Sequence, residues 1–284
     1  MYEKIDHILK TAEECNTAAI AFICMDYTMA RSVVCAAQAT NTPAIVMLYP
    51  EHVTIQHTTG FREYAAMVKE LASEVTVPIG LHADHDYTYE SIMHTIESGF
   101  ESVMMDGSMN DLDTNIALTR KVVADAHKAG AFVEGEIGHV GIASQADNTN
   151  RDLFTKPDAA EKFCRETGVD ALAVSIGNAH GEYRETPHLD IERLEEIRAV
   201  VNVPLALHGG SGIPDDQLLV AFSKGIRKFN LGTDFLGRYY QAVSGFVGEN
   251  EENPDPVKVI NLPEYAQSKL QPYLEERMKT LCRF

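Results

Sequence analysis

The chain alternates short, nearly unbroken apolar runs with longer amphipathic stretches, and it does so eight times. The runs are AAIAFICMD (18–26), PAIVML (43–48), VPIGLHAD (77–84), SVMMDG (102–107), FVEGEIG (132–138), ALAVSIG (171–177), VPLALHGG (203–210) and KFNLGTD (228–234). A strand with one solvated face alternates apolar and polar residues, whereas a strand covered on both faces has no polar side to show. The runs therefore predict a parallel sheet clothed in helices. The intervening segments carry the helical period. In 59–75, Phe61, Tyr64, Ala65, Val68, Leu71 and Ala72 recur at three-to-four spacing. Segment 113–130 repeats the pattern and stops at Gly130, and 190–202 begins at an N-capping Asp190. No Pro/Gly/Ser linker divides the 284 residues, so the expectation is one α/β domain over 1–284, a (β/α)8 TIM barrel. An acidic loop from about residue 249 and an extra C-terminal helical segment close it. The alternative is an open doubly wound sheet.

A barrel of this kind makes a demand that the sequence can meet or fail: functional side chains belong at the C-terminal ends of the strands. The third run ends in His82-Ala83-Asp84-His85, the fourth at Asp106 and the fifth at Glu134 and Glu136. The sixth leads into GNAHG with His180, the seventh ends at His208, and the eighth reaches Asn230, Thr233 and Asp234. A lone histidine at a strand end is more often structural than a ligand. Three of them, His85, His180 and His208, at equivalent ends of three strands form a ligand set suited to catalytic zinc with an open fourth position. Asp106 and Glu136 either anchor those imidazoles or hold a second cation. Asp84 is a candidate proton donor and acceptor, or else a buried acceptor for a histidine. His82 is read as core, and Asp86 as the cap of the following helix. HGGSGIP (208–214) and NLGTD (230–234) put Gly209, Gly210, Ser211 and Thr233 on the last two loops, with Gly181 and Arg184 nearby. That is where barrels bind phosphate, through backbone N–H groups.

A net charge of −18 at pH 7 sets the chain against nucleic acid and anionic membranes, so neither is an expected partner. An anionic substrate must be held by local features. The five cysteines are scattered with no C-x-x-C pair, the N-terminal stretch MYEKIDHILKTAEE is charged, and no apolar run approaches a membrane span. A cytoplasmic location is expected.

HADH (82–85), GFESVMMDGS (99–108), VEGEIG (133–138), DALAVSIGNAHGEY (170–183), VPLALHGGSGIP (203–214) and KFNLGTD (228–234) resemble, in order, the motifs of the class II, metal-dependent ketose-bisphosphate aldolases, the group of tagatose- and fructose-bisphosphate enzymes. The resemblance implies that His85, His180 and His208 hold catalytic Zn2+ and that Asp84 is the proton donor. It places dihydroxyacetone phosphate on Gly181, Gly209, Gly210, Ser211 and the stretch Asn230, Leu231, Gly232, Thr233. It implies a second divalent site at Asp106 and Glu136, a monovalent cation such as Na+ or K+, and a homodimer or homotetramer. The activity implied is reversible retro-aldol cleavage of a ketose 1,6-bisphosphate or a related ketose 1-phosphate, in carbohydrate metabolism such as glycolysis.

Three departures stand out. The family's Gly-Gly-x-Glu-Asp loop reads HVGIASQADNTNRD (139–152), with Asp147 or Asp152 as the only acids to replace its Glu. The first strand carries Ile23 where relatives have an Asn, and the loop after the second strand is LYPEH (48–52). These alter the aldehyde half and the proton-exchange loop, and predict a shifted aldehyde partner. Arg277, in the closing helix, loosely matches a family arginine for a second phosphate, one that would serve the neighbouring subunit. Two other readings remain: a zinc-dependent barrel hydrolase, which lacks its usual H-x-H pair on the first strand, and a metal and phospho-sugar binding protein that has lost turnover.

Overall fold

The computed structural model describes residues 1–57, 59–138, 140–143, 149–250 and 255–284. The eight apolar runs form β1 (Ala19–Ile23), β2 (Ala44–Leu48), β3 (Ile79–Asp86), β4 (Ser102–Met105), β5 (Phe132–Ile137), β6 (Ala171–Val174), β7 (Leu205–Leu207) and β8 (Ile226–Leu231). Each pairs in parallel with the next, and β8 returns to β1 through Ala19↔Lys228 and Phe22↔Leu231, which closes the barrel. Closure removes the open-sheet alternative.

The helices run, in chain order, α1 (Ile5–Glu14), α2 (Tyr27–Thr40), α3 (Pro50–Gln56), α4 (Phe61–Ser73), α5 (Tyr89–Glu97) and α6 (Leu112–Lys128). They continue with α7 (Pro157–Thr167), α8 (Ile191–Val200), α9 (Asp215–Ser223), α10 (Thr233–Asn250) and α11 (Leu262–Leu281). The stripe read in 59–75 is the buried face of α4, and the one in 113–130 that of α6, after which Gly130 turns with φ 77°. Asp190 caps α8 by accepting from the Arg193 N–H. Asp86 does not cap α5. Thr88 does, while Asp86 ends β3 and its Oδ1 accepts from the Tyr87 N–H. No helix among the described residues is long and apolar enough to cross a membrane.

Strand parity sorts the barrel into two cores. Outward residues such as Phe22, Val46, Leu81, Val103 and Leu172 pack under the helices. Inward residues change character along the axis. Where the strands begin, α1 plugs the barrel, and Ile5, Ile8 and Leu9 meet Ala19, Ala21, Ile45 and Met47. Gly80 makes room for that plug, since a methyl there would sit 2.5 Å from Ile5 Cδ1. Higher up, Ala173 and Ala206 are small, and the space beside them takes the fully buried His82, Glu134 and Lys228. The site lies above this charged layer.

Candidate active site

Two successive residues of one regular strand point to opposite faces, so Asp84 and His85 should not both reach the interior. They do because the β3–β4 pairing slips between Ala83 and Asp86, a bulge-like irregularity that turns His85 inward while Asp84 keeps its place. His85 Nε2 then stands 3.8 Å from Asp84 Oδ2 and 3.0 Å from His208 Nδ1. His180 completes the group. The imidazole centroids are 4.7 to 6.1 Å apart, and one nitrogen of each of the three rings falls within 4.8 Å of the others.

The remaining nitrogens are anchored. His85 Nδ1 bonds Asp106 Oδ2 at 2.8 Å, and His208 Nε2 bonds Glu134 Oε1 at 2.7 Å. These bonds leave His85 Nε2 and His208 Nδ1 facing one another, so two lone pairs collide there unless a proton or a cation lies between them. The electrostatics agree. Burial opposes charge on His208, yet hydrogen bonds to Glu134 and Glu136 overcome it and raise its pKa to about 10. Burial, helped by His85 and His208, lowers His180 to about 3 and keeps its lone pair free. Burial and the neighbouring Asp106 together push Glu136 above the usual carboxylate range. A group of four carboxylates that collects positive charge, with imidazole lone pairs aimed at one point, fits a zinc-type cation. A second group, His85, Asp106 and Glu136, also brings its ligand atoms within 4.8 Å.

Asp84 is held from behind. Lys228 Nζ donates to Asn230 Oδ1 at 2.7 Å, which fixes the amide so that Asn230 Nδ2 donates to Asp84 Oδ1 at 3.0 Å. The same ammonium lies 3.0 Å from Glu134 Oε2. Burial opposes ionisation of Asp84, but the surrounding His85, His208 and Lys228 outweigh it and hold the carboxyl below its ordinary range.

A cavity of about 550 Å³ opens above these groups. Its wall includes Asp84, His85, Asp106, Glu136, His180, Gly181, Gly209, Gly210, Ser211, Asn230, Gly232 and Thr233. Three of the sequence-predicted residues lie elsewhere. His208 is fully buried just beneath the floor, and Leu231 is fully buried in the core outside the barrel wall. Arg184 lines an adjoining groove, which shares Gly181, Ser211 and Thr233 with the cavity. Gly209 and Gly210 are more than a turn. A Cβ on Gly209, at φ 61°, would meet Ala179 O at 2.2 Å, and one on Gly210 would meet the Phe229 ring at 2.0 Å. Tyr183 ties this loop to the His180 loop, since its hydroxyl accepts from the Ala179 N–H and donates to Gly209 O. Ser211 Oγ accepts from the Asp234 N–H, at the first turn of α10.

Sequence reasoning missed several groups. Lys228 had a signal in parity, for it is two residues from Asn230 and shares its face. Tyr87 follows Asp86 directly, and Ser108 sits in the DGS segment where its N–H and hydroxyl both donate to Asp106 Oδ1. Met109 also lines the cavity, as do Tyr49 and His52 of the LYPEH stretch and Val140 and Ile142 of 139–152, the segments already singled out in the sequence. The loop after β5 forms a bridge between Ile142 and His180, with the His180 N–H on Gly141 O at 2.8 Å. Ile23, the residue in the Asn place, lines the cavity against Gly232, where an added methyl would meet Ile23 Cδ1 at 2.8 Å. Asp152 is exposed and outside the cavity wall, and Asp147 lies outside the described residues.

Comparison with known proteins decides the family. The model for "Fructose-bisphosphate aldolase class-II" matches residues 3–283. The chain belongs to that family. Among curated relatives, the fructose-bisphosphate aldolase of Geobacillus stearothermophilus is 34% identical over 234 residues, 81% of this chain and 80% of the relative. The 6-phospho-5-dehydro-2-deoxy-D-gluconate aldolase of Shouchella clausii is 36% identical over 230 residues, 80% of this chain and 77% of the relative. The crystal structure of the YdjI aldolase from Escherichia coli K12 superposes with a TM-score of 0.86 at 31% identity, covering 100% of this chain and 98% of that one. This is an enzyme of the class-II aldolase kind, an aldehyde-lyase built on the TIM barrel.

Proposed function

We propose that the cavity carries out reversible retro-aldol cleavage of a phosphorylated ketose to dihydroxyacetone phosphate and an aldehyde. The observation that supports this most is the pair of opposed imidazole nitrogens, His85 Nε2 and His208 Nδ1, 3.0 Å apart beside His180. His85, His180 and His208 would hold zinc, which when bound supplies Lewis acidity toward the ketone oxygen. The Gly181, Gly209, Gly210 and Ser211 backbone and the start of α10 receive the phosphate, where N–H groups and the helix dipole favour an anion. In cleavage, Asp84 takes the C4 hydroxyl proton through Oδ2, because Asn230 occupies its Oδ1. The C3–C4 bond breaks, C4 leaves as the aldehyde carbonyl, and C3 takes a proton to become dihydroxyacetone phosphate. Synthesis runs the same transfers backward.

In this reading Asp106 anchors His85 through Oδ2, while its Oδ1 accepts from Ser108. A second divalent ion at Asp106 and Glu136, and a monovalent Na+ or K+, are further proposals. So are a homodimer or homotetramer, a single domain over 1–284, a cytoplasmic location and a place in carbohydrate catabolism. The substrate names of the two curated relatives favour a scaffold that accepts one or two phosphates, since one names a bisphosphate and the other a single phospho group. The test is metal content of the purified protein together with exchange of label from C3 of dihydroxyacetone phosphate. Zinc with exchange supports the proposal, while zinc without exchange supports a binding protein in its place. Asp84→Ala should abolish cleavage and leave zinc bound, and activity that survives it would remove Asp84 from the mechanism.

A further inference from the structure

Resting on the aldolase reading, we infer that the aldehyde partner carries no phosphate, so that the substrate is a ketose 1-phosphate with a hydroxylated, non-phosphorylated tail. The cavity has two unlike halves. The β7 and β8 loops supply the glycine-rich backbone and the start of α10. Across the barrel, the segments after β2, β3 and β4 supply Tyr49, His52 on α3, Tyr87 and Met109, with Ile23 at the end of β1.

The second half is built for hydroxyls. Tyr49 donates its proton to Glu51 Oε2 at 2.7 Å, so its oxygen presents lone pairs, and the Tyr87 hydroxyl lies 3.3 Å away. The His52 ring stands edge-on to Tyr49 at 5.1 Å, and its Nδ1 is shielded from solvent with no hydrogen-bond partner. Phenols and a neutral imidazole both donate and accept, as sugar hydroxyls do.

A phosphate dianion is a poor match for the same wall. No lysine or arginine lines the cavity among the described residues, and the undescribed ones (58, 139, 144–148 and 251–254) contain none. The wall instead carries the carboxylates Asp84, Asp106 and Glu136, with Glu51 behind Tyr49. A carboxylate has no N–H or ammonium to offer a phosphate dianion, so these wall residues give it no ionic partner. Arg277, which resembles an arginine for a second phosphate, has its Nη1 on Asp215 Oδ1 at 2.7 Å and is not on this chain's own cavity wall, so any use of it must come from a neighbouring copy. Arg184 stands in the groove beside the β7 and β8 loops, the phosphate half.

The experiment uses the purified, zinc-loaded protein in its native assembly, so that any cation from a neighbouring copy is present. Dihydroxyacetone phosphate is offered with D-glyceraldehyde or with D-glyceraldehyde 3-phosphate, and C3 label exchange is followed in parallel. The expected result is a kcat/KM at least tenfold higher for glyceraldehyde. His52→Ala and Tyr87→Phe should lower kcat/KM for glyceraldehyde at least fivefold more than they slow exchange. Exchange with equal or better use of glyceraldehyde 3-phosphate would overturn the inference and leave the aldolase reading intact. No exchange and no product from either aldehyde would overturn the aldolase reading, and the inference with it.

Discussion

Lys228 offers the sharpest test of how the site is supported. It is fully buried, with Nζ 3.0 Å from Glu134 Oε2 and 2.7 Å from Asn230 Oδ1. Glu134 is equally buried, and although burial opposes its ionisation, Lys228 and His208 hold its carboxyl far below the ordinary range. Lys228→Met keeps most of the side-chain volume, so the change is mainly one of charge. Removing one partner of a buried ion pair costs about 3–5 kcal/mol, because the surviving charge stays in low dielectric. For a domain somewhat larger than 250 residues, 1 kcal/mol moves Tm by about 2–3 °C, so the loss should be about 6–15 °C. The measurement is thermal unfolding of metal-stripped protein, which keeps ligand linkage out of the comparison. Adding Glu134→Gln should recover at least half the loss, a coupling of about 2 kcal/mol or more in the double-mutant cycle. A Lys228→Met variant within 1 °C of the parent, or a double variant no more stable than Lys228→Met, would refute the ion-pair account. The zinc-loaded single variant should also lose about tenfold in kcat, since the Asn230 amide is then free to turn away from Asp84.

Three further outcomes follow from individual contacts. Asp106→Asn removes the carboxylate from His85 Nδ1 and should weaken zinc affinity about 10–100-fold, read by chelator competition. In metal-stripped protein Asp106 resists burial and, through His85 and Ser108, titrates at about 2 rather than 3.8. Its contribution is therefore complete above about pH 4 and lost as pH falls toward 2, so the stability gap to Asp106→Asn should narrow by about 2 kcal/mol over that window in guanidinium titrations. Gly210→Ala puts a methyl 2.0 Å from Phe229 Cε2 and 2.8 Å from Asn230 O, and should cost about 1–3 kcal/mol while raising KM for dihydroxyacetone phosphate in the exchange assay.

Legibility in the sequence followed the range of the physics. The barrel was readable because each strand announces itself locally, by an apolar run, and the eight-fold repetition of βα units leaves few ways to pack. His85, His180 and His208 were readable because the fold rule converts three distant strand ends into one place. Asp84 beside His85 was readable only as a composition. That both face inward depends on the slip between β3 and β4, a pairing property that no residue of β3 encodes by itself. Asp86 was misread as a cap for a related reason: β3 runs through it, and the helix begins only after Thr88. Lys228 and Glu134 are 94 positions apart, and each by itself reads as an ordinary charged residue near a strand. Their meaning comes from the neutralisation each provides inside a dry barrel. The wall proposed to face the aldehyde was hardest, because Tyr49, His52 on α3, Tyr87 and Met109 come from three separate βα segments and share no motif. Histidines at strand ends and glycine turns each leave a local mark in the sequence. A specificity wall is fixed by one substrate's tail, and is legible only once the loops stand side by side.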